Sequence, residues 1–442
     1  MTGTGRRAPL QWAEIIAVGS ELLVPPRLDT NSLFITDTLN RLGIEVRAKA
    51  VVGDRREDLE AVLRAAMSRT ELVVLCGGLG PTDDDLTREA VAAVTGRGLR
   101  EQASVLDAIR QRFAARGARM PDINRRQAMV PAGAEIIPNG FGTAPGLWLE
   151  HDGRLLLLLP GPPAELRPMV ERVAEERLAP IAGASRVERC LLRICGRTES
   201  EVDELAAPVY SRWLDAPAPV FTTVLTSPAQ VELHLSSRAS SAEDARARLA
   251  RAAAELASLF GDDVFSTDGR PLEEVVGRLL RDRGWRVGVA ESCTGGLIST
   301  RLTDVAGSSD YVGFNAVCYS NAAKTEVLGV PAALISAHGA VSEPVALAMA
   351  DGIRGRGSCE IGLGVTGIAG PAGGSDEKPV GTVVVGVTTA DVRHVRTYRF
   401  PTGRARVRQF AAQIALDLAR RTLLGAPPGR AFVFTSGGGG RP

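Results

Sequence analysis

A serine in the last third of the chain has the setting that amide hydrolysis needs. Ser292 lies in the run Ala-Glu-Ser-Cys-Thr-Gly-Gly at residues 290–296, which we predict to join a strand to a helix. Cleaving an amide requires a nucleophile, a base for its proton and donors for the oxyanion. A hydroxyl on such a turn is exposed at a strand end, and the helix behind it offers unpaired N–H groups and a positive dipole end. A helix cap explains this segment alone equally well.

The position of Lys324 suits the base of such a reaction. We predict that Tyr319 ends a strand, that Ser320 caps the next helix and that Lys324 lies in or near its first turn. An ammonium there faces the positive end of the helix dipole, so its charged form is disfavoured. A lysine that is uncharged can act as a base. The alternative is a solvated surface lysine, which is the common fate of this residue type.

A glycine-rich turn at residues 366–375 and an arginine beyond it are candidates for binding a ligand. The turn follows a predicted strand and has the sequence Thr-Gly-Ile-Ala-Gly-Pro-Ala-Gly-Gly-Ser. Its backbone amides can approach a ligand closely, as in the nests that cradle phosphate. Arg404 can supply a guanidinium to a phosphate. A surface role explains this arginine equally well, because the chain contains many.

A second glycine-rich loop follows the strand that we predict at residues 72–76. It has the sequence Gly-Gly-Leu-Gly-Pro-Thr-Asp-Asp-Asp over residues 77–85 and opens a predicted helix, the usual geometry of a phosphate site. Three aspartates would repel a diphosphate unless a divalent metal ion bridged them, and such oxygen ligands suit magnesium or manganese. The alternative is that Thr82 caps the helix and the aspartates complement its dipole.

The composition argues against several classes of protein. Lysine plus arginine (52) and aspartate plus glutamate (51) nearly cancel, and only 4% of residues are aromatic, so a nucleic-acid partner is disfavoured. Six scattered cysteines without a C-x-x-C pair and four histidines argue against a structural zinc site and a disulfide framework. The first residues lack the apolar core of a signal peptide, and the longest aliphatic run is too short for a membrane span. We therefore expect a cytoplasmic protein with no membrane partner.

Short apolar strands alternate with longer amphipathic segments over most of the chain, which predicts helices covering mostly parallel sheets. We expect the α/β class, with two α/β sandwich-type domains joined by a small α+β (KH-like) linker domain. The predicted strands include residues 15–18, 46–52, 72–76, 155–159, 189–195, 287–290, 314–319, 361–365 and 382–388.

The linker domain is predicted to contain a helix at residues 200–209 that begins with a capping box from Ser200 to Asp203. It lacks a G-x-x-G loop and a basic excess, which favours a spacer over an RNA-binding module. The predicted domain limits are a flexible tail at 1–10, a first domain at 11–170, the linker at 171–267, a third domain at 268–424 and a disordered tail at 425–442.

Five motifs occur in order between residues 290 and 383. They are Ala-Glu-Ser-Cys-Thr-Gly-Gly, Tyr-Ser-Asn-Ala-Ala-Lys, His-Gly-Ala-Val-Ser-Glu-Pro, Thr-Gly-Ile-Ala-Gly-Pro and Glu-Lys-Pro-Val-Gly-Thr-Val. In this order they resemble the nicotinamide-nucleotide amidase domain of the competence/damage-inducible protein A (CinA) family. The resemblance implies hydrolysis of nicotinamide mononucleotide to nicotinate mononucleotide and ammonia in NAD salvage, with no cofactor at this site.

The resemblance also assigns roles by position. It makes Ser292 the nucleophile and Lys324 its base, assisted by Tyr319, and we hypothesise an acyl-enzyme on Ser292. Thr294 is the rival nucleophile. The resemblance implies that the ligand is bound by Thr294, Gly295, Gly296, Thr366, Gly367, Gly370 and Gly373, with Arg404 at the phosphate.

The first half of the chain carries further motifs of the same family. They are Gly-Ser-Glu-Leu-Leu at 19–23, Asp-Thr-Asn at 29–31, the loop at 77–82, Asn-x-x-Gln at 124–127, Gly-Thr-Ala-Pro-Gly at 142–146 and Pro-Gly-Pro-Pro-x-Glu at 160–165. The resemblance implies a molybdopterin-binding-like fold that cleaves the diphosphate of ADP-ribose with a divalent metal ion. The implied metal ligands are Asp29, Asp84 and Asp85, and the implied ligand pocket is formed by Glu21, Asn31, Gly77, Gly78, Gly80 and Thr82. One departure is Val-Pro-Pro-Arg at 24–27, where the family commonly has glycine, and its prolines stiffen the loop.

Three functions fit these observations. The first is a hydrolase with two activities, a nicotinamide-nucleotide amidase and an ADP-ribose pyrophosphatase. In the second, only the amidase is active and the N-terminal half is a pterin- or nucleotide-binding module. In the third, the protein is an accessory factor of DNA uptake or repair, against which its near-neutral charge counts. The resemblance further implies a homodimer.

Overall fold

The chain packs as two units in the computed structural model, which describes residues 9–183 and 185–429. The first unit comprises the residues up to Glu188 together with Ser237–Arg246, and the second comprises Arg189–Ser236 together with the chain from Ala247 onward. Most of the predicted linker domain therefore packs with the C-terminal part of the chain. The predicted domain limits at 170/171 and 267/268 stay predictions.

A six-stranded sheet lies at the centre of the first unit. The strands of this unit are β1 (Trp12–Val18), β2 (Glu45–Val52), β3 (Leu72–Cys76), β4 (Leu99–Glu101), β5 (Met129–Pro131), β6 (Glu135–Ile137), β7 (Gly146–His151) and β8 (Arg154–Leu159). The helices are α1 (Asn31–Arg41), α2 (Arg56–Arg69), α3 (Thr87–Val94), α4 (Ala103–Ala115) and α5 (Pro163–Val173). The sheet has the order β2-β1-β3-β8-β7-β6, and it is parallel from β2 to β8 and antiparallel from β8 to β6. Strands β4 and β5 pair separately.

The central strands of this sheet bring three loops to one edge. Every residue of β3 is buried, as expected of a strand that is covered by helices on both faces of the sheet. Ala17 of β1 lies opposite Cys76 of β3, which in turn lies opposite Leu159 of β8. The loops that follow these parallel strands therefore meet at their carboxyl ends, which is where open α/β sheets bind ligands.

The second unit begins with a small four-stranded sheet. Its elements are β9 (Arg186–Cys195), α6 (Glu199–Leu214), β10 (Val220–Ser227), β11 (Gln230–Ala239), α7 (Ala242–Phe260) and β12 (Val264–Ser266), and one end of each of β9, β11 and α7 is counted with the first unit. The strand order is β10-β11-β9-β12, and β12 is antiparallel to β9.

The capping box of α6 lies two residues before the predicted one. Thr198, rather than Ser200, has the extended backbone of an N-cap, and its hydroxyl accepts a hydrogen bond from the N–H of Glu201. The Glu201 carboxylate in turn accepts from the N–H of Thr198 at 2.8 Å. The observed pair Thr198/Glu201 and the predicted pair Ser200/Asp203 have the same spacing. Glutamate is the acid that reaches back to the cap in this motif, and Asp203 is one methylene shorter.

A five-stranded sheet forms the rest of the second unit. Its strands are β13 (Val287–Glu291), β14 (Val312–Val317), β15 (Ile361–Gly367), β16 (Thr382–Thr388) and β17 (Arg393–Arg399). The helices are α8 (Leu272–Arg283), α9 (Leu297–Thr303), α10 (Asn321–Leu328), α11 (Ala332–His338), α12 (Glu343–Arg356) and α13 (Arg404–Leu424). The order is β14-β13-β15-β16-β17, in which the first three strands are parallel and the last two antiparallel. The predicted α/β fold class is confirmed.

The ends of the chain differ in part from the prediction. Residues 1–8 and 430–442, which hold most of both predicted tails, lie outside the described residues. The prediction of a tail was wrong for Leu10, because its side chain is buried in the core of the first unit and its N–H donates to the carbonyl of Ile181 at 3.0 Å. Across the residues that the structure describes, no helix has the length and apolar character required to cross a bilayer.

A buried network of charges ties the small sheet of the second unit to α13. The carboxylate of Asp417 accepts from the Nε atoms of Arg420 (2.8 Å) and Arg421 (2.7 Å), and these two arginine side chains are only 3% exposed. Arg421 also donates to Asp263 at 2.7 Å, and Asp263 accepts from Arg197 at 2.7 Å. Buried charges are tolerated only when they are paired in this way, so the network depends on each carboxylate.

We predict that Asp417→Ala lowers the free energy of unfolding of the second unit by about 3–5 kcal/mol, because it removes the carboxylate that the buried Arg420 and Arg421 share and leaves Arg420 without an ion-pair partner among the described residues. Asp351→Ala is the matched control, since it removes a more exposed ion pair with Arg393 and should cost less than about 1 kcal/mol. Urea denaturation of both variants measures the difference. Equal, small losses for the two variants would show that the network contributes nothing beyond a surface pair.

Candidate functional site

Ser292 and Lys324 meet at the carboxyl edge of the second unit's large sheet. Ser292 is the first residue after β13, and its N–H donates to the carbonyl of Val365 on the neighbouring strand β15 at 3.0 Å. The Ser320 hydroxyl caps α10 by accepting from the N–H of Ala323, which places Lys324 at the end of the first turn. The Lys324 Nζ lies 3.1 Å from the Ser292 Oγ. The structure therefore brings together the two residues that the sequence assigned as nucleophile and base, and their roles stay predictions.

The surroundings of Lys324 favour an uncharged amine. Its side chain is buried, with 2% of the residue exposed, and this burial lowers the pKa of the ammonium. The Nζ also donates to the carbonyls of Cys318 (3.0 Å) and Tyr319 (3.2 Å). A neutral amine has two N–H donors and one lone pair. Because carbonyls can only accept, the lone pair is left to accept the hydroxyl proton of Ser292, as a general base requires.

Glu291, a residue that the sequence analysis did not single out, organises the turn after β13. Its fully buried carboxylate accepts from the N–H groups of Gly296 (2.9 Å), Ile298 (3.2 Å) and Ser299 (2.8 Å), and from the Ser299 hydroxyl (2.6 Å). These groups belong to the start of α9. The carboxylate thus holds residues 292–296, which we call the nucleophile turn, against the helix. A glutamate that ends an otherwise apolar strand was the available signal in the sequence.

This contact changes the expected source of oxyanion donors. The sequence suggested that the N-terminus of α9 offers unpaired N–H groups, but Glu291 already binds them. Among the described residues, the N–H groups of Cys293 and Thr294 donate no hydrogen bond to another residue, and they directly follow Ser292. They are therefore the backbone donors that remain for an oxyanion beside the Ser292 hydroxyl.

Thr294, the rival nucleophile, is not placed for that role. The residue is completely buried, and its hydroxyl has no hydrogen-bond partner among the described residues. The hydrogen bond of the Lys324 Nζ at this turn is with the Ser292 hydroxyl and not with that of Thr294. The structure therefore joins Ser292 to the candidate base and leaves the Thr294 hydroxyl inside the protein.

Tyr319 and Arg404 form a separate part of the site. Tyr319 is 60% exposed, and its hydroxyl accepts from Arg404 Nη2 at 3.1 Å. Arg404 also donates to the carbonyl of Gly370 in the glycine-rich turn at 2.9 Å. Lys324 hydrogen-bonds to the backbone carbonyl of Tyr319, whereas the phenol of Tyr319 hydrogen-bonds to Arg404.

The other residues of the glycine-rich turn shape the backbone. Gly370 and Gly373 have φ angles of 81° and 93°, in the region that favours glycine. At Gly367 a Cβ atom would come within 2.9 Å of the Cys293 sulfur, so glycine allows the nucleophile turn to pack closely on β15. The Thr366 hydroxyl donates to the carbonyl of Ala340 at 2.9 Å, which uses its proton within the protein.

Gly295 and Gly296 have φ angles of 61° and 93° within the nucleophile turn.

A cavity of about 360 Å³ lies where the loops after β1, β3 and β8 meet in the first unit. Six residues assigned from the sequence line it, namely Glu21, Gly77, Gly78, Gly80, Asp84 and Asp85. Asn31 donates to the carbonyl of Gly161, which also lines the cavity, at 2.7 Å. The lining also contains polar residues that had no assigned role, namely Asp54, Gln127, Thr143 and Glu165. Gln127, Thr143 and Glu165 stand in the family motifs at 124–127, 142–146 and 160–165, and these motifs could have identified them.

The three predicted metal ligands do not form one cluster. Asp85 uses its carboxylate to close its own loop, accepting from the N–H of Gly80 (2.7 Å) and from the N–H (2.9 Å) and hydroxyl (2.6 Å) of Thr82. Asp29 accepts from the N–H of Ser32 at 3.0 Å, and neither Asp29 nor Thr82 lines the cavity. Within residues 9–183 and 185–429, no group of three or more histidine, cysteine, aspartate or glutamate side chains is arranged to hold a metal ion. The metal site stays a prediction.

Both halves of the chain match known protein families. Residues 14–180 match a family described as a probable molybdopterin binding domain, and residues 269–423 match the CinA C-terminal domain. A CinA-like protein from Koribacter versatilis is 47% identical over 416 residues, which cover 93% of this chain and 100% of that protein. A putative competence-damage inducible protein from Symbiobacterium thermophilum is 44% identical over 425 residues, which cover 93% of this chain and 99% of that protein.

A crystal structure of the protein CinA from Thermoplasma acidophilum, described as having unknown function, is 33% identical to this chain. The match covers 38% of this chain and 98% of that chain, with a TM-score of 0.36. The full-length relatives are the stronger comparison, because their identity extends over nearly the whole chain. The chain therefore belongs to the CinA family of competence/damage-inducible proteins.

Proposed function

We propose that the second unit hydrolyses nicotinamide mononucleotide to nicotinate mononucleotide and ammonia. The observation that carries this proposal is the buried Lys324 Nζ at 3.1 Å from the Ser292 Oγ. A hydroxyl paired with a lysine of lowered pKa, beside unbonded backbone N–H groups, supplies the nucleophile, base and oxyanion donors of acyl transfer. The similarity of the second unit's motifs to nicotinamide-nucleotide amidases supplies the choice of amide.

The proposed reaction has two steps. The Ser292 oxygen attacks the carboxamide carbon as its proton passes to Lys324, and the oxyanion accepts from the N–H groups of Cys293 and Thr294. Lys324 then returns the proton to the amide nitrogen, so the C–N bond breaks, ammonia leaves and an acyl-enzyme remains. Water attacks this ester with Lys324 again as the base, which releases nicotinate mononucleotide and restores the Ser292 hydroxyl. Arg404, exposed beside the glycine-rich turn, is the proposed partner of the phosphate.

Ammonia release from nicotinamide mononucleotide tests this proposal. We expect Ser292→Ala and Lys324→Met each to lower kcat/KM by at least about 10³-fold, because the nucleophile and its base act as one unit. Ser258→Ala, which changes an exposed serine on α7, is the control and should match the unsubstituted protein. Deamidation that survives Ser292→Ala and disappears in Thr294→Ala would contradict the assignment.

The pH dependence of the reaction tests the state of Lys324. Burial lowers the pKa of this lysine, and only its neutral form can take the serine proton. We therefore expect kcat/KM to rise with pH and to reach a plateau below the ordinary lysine pKa of about 10.4. A rate that keeps rising up to that ordinary value would show that the lysine is not perturbed.

We also propose that the cavity of the first unit binds ADP-ribose and cleaves its diphosphate. In support, the glycine-rich loop lies at the carboxyl edge of the sheet, and the buried Arg88 holds it by donating to the carbonyls of Leu79 (2.6 Å) and Gly80 (2.8 Å). Magnesium is commonly held by one or two carboxylates together with substrate phosphates. Asp84 and Glu21 line the cavity and are the carboxylates proposed for that role.

Incubation with ADP-ribose, with and without magnesium or manganese, tests this second activity. We expect cleavage to require the metal and to fall by at least about 10²-fold in Asp84→Ala. Asp83→Ala is the matched control, because this neighbouring aspartate is fully exposed, pairs with Arg126 and does not line the cavity. Binding of ADP-ribose without cleavage would favour a nucleotide-binding module instead.

A further inference from the structure

Arg408 of α13 hydrogen-bonds to the nucleophile turn through a carbonyl oxygen, whereas Glu291 accepts from the N–H groups of the turn and of α9. The Nε and Nη2 atoms of Arg408 both donate to the carbonyl oxygen of Thr294, at 3.1 and 2.9 Å. This carbonyl lies 114 residues away in sequence and belongs to the residue whose N–H is one of the two remaining oxyanion donors. A Cβ atom at Gly295 would come within 3.4 Å of Arg408 Nη2, so the guanidinium lies directly against the turn.

The nucleophile turn needs such an anchor. Gly295 and Gly296 both have φ angles in the left-handed region, and two successive glycines lose more backbone freedom on ordering than other residues do. The Thr294 side chain makes no hydrogen bond that would hold the turn. The Glu291 carboxylate accepts from the N–H of Gly296, and the Arg408 guanidinium donates to the carbonyl of Thr294. Together they hold the two peptide groups that directly follow Thr294, next to the peptide groups that carry the N–H donors of Cys293 and Thr294.

Arg408 also brings a positive charge to the nucleophile turn. Within the described residues, 9–183 and 185–429, no carboxylate forms an ion pair with its guanidinium. Arg301, on the neighbouring helix α9, is by contrast paired with Glu273 at 2.6 Å. An unpaired guanidinium in contact with the nucleophile turn therefore stabilises negative charge that develops there.

We propose that Arg408 is a positioning residue of the amidase site, which sets the oxyanion donors of the nucleophile turn and adds its charge to their field. The inference rests on the proposed role of Ser292 as nucleophile. It is distinct from the role proposed for Arg404, one helical turn earlier, which contacts the glycine-rich turn and the Tyr319 hydroxyl instead of the nucleophile turn. Loss of Arg408 should therefore slow chemistry at Ser292, whereas loss of Arg404 should weaken binding of a phosphorylated substrate.

A neutral alkyl fluorophosphonate tests this inference without any nucleotide. Ser292 attacks its phosphorus, the P–F bond breaks, fluoride leaves and the hydroxyl proton passes to Lys324, while the phosphoryl oxygen occupies the oxyanion position. We expect Arg408→Met to lower the rate constant of Ser292 labelling about 10- to 100-fold, less than the 10²–10³-fold typical of removing a direct donor. Arg408→Lys keeps the charge and one donor, and Arg408→Gln keeps a neutral donor. We expect the lysine variant to label faster than the glutamine variant, and both to label faster than Arg408→Met.

Arg406→Met is the matched control, because Arg406 lies on the same helix, is exposed and stacks on Phe410. Its labelling rate should equal that of the unsubstituted protein. With nicotinamide mononucleotide, Arg408→Met should lower kcat with KM changed by less than about threefold, and Arg404→Met should mainly raise KM. Thermal unfolding of each variant checks that the fold is intact, and partial recovery of labelling in Arg408→Lys excludes simple misfolding.

Two outcomes would overturn the inference. The first is an Arg408→Met variant that labels as fast as the Arg406→Met control, and the second is an unsubstituted protein whose Ser292 does not react with the probe. Labelling of Ser292 that depends on Arg408, in a protein that does not deamidate nicotinamide mononucleotide, would instead support the inference and contradict the proposed substrate. The two failures are therefore distinguishable.

Discussion

The hydrogen bond between Lys324 and Ser292 is the interaction on which the account of this protein depends. Lys324 can accept the serine proton only because its amine is buried and because two backbone carbonyls occupy its N–H donors, which leaves the lone pair for Ser292. Adjacent parallel strands β13 and β14 bring the two residues to one sheet edge, and the Ser320 cap fixes the start of the lysine's helix. Burial, which would be unfavourable for a structural lysine, thus lowers the pKa of a lysine that must take up a proton.

The parts of the fold that were predictable are those set by local pattern. Strands β3 and β16 have the predicted limits, because each is a short, valine-rich segment in which every residue is buried. Features that depend on the fit of one side chain, or on a contact between distant residues, were not predicted. The capping box at Thr198 competes with an identically spaced one at Ser200, and the burial of Leu10 results from contact with Ile181, far along the chain.

The same distinction applies to the site. Ser292 and Lys324 stand in recognisable motifs, whereas the contact of Arg408 with Thr294 spans 114 residues and leaves no local signature. Glu291 was overlooked because its role appears only when α9 folds back over its carboxylate. Asp85 shows the converse, since an acidic residue in a phosphate-type loop suggested a metal ligand, yet its oxygens bind N–H groups of that loop.

The most direct test of the account is to trap the covalent intermediate. Rapid acid quenching during turnover of nicotinamide mononucleotide, followed by digestion and mass spectrometry, reports which side chain carries the acyl group. We expect an ester of nicotinate mononucleotide on the peptide that contains Ser292, which accumulates only when the substrate is present. An adduct on another side chain, or turnover that is fully retained after Ser292 is replaced by alanine, would contradict it.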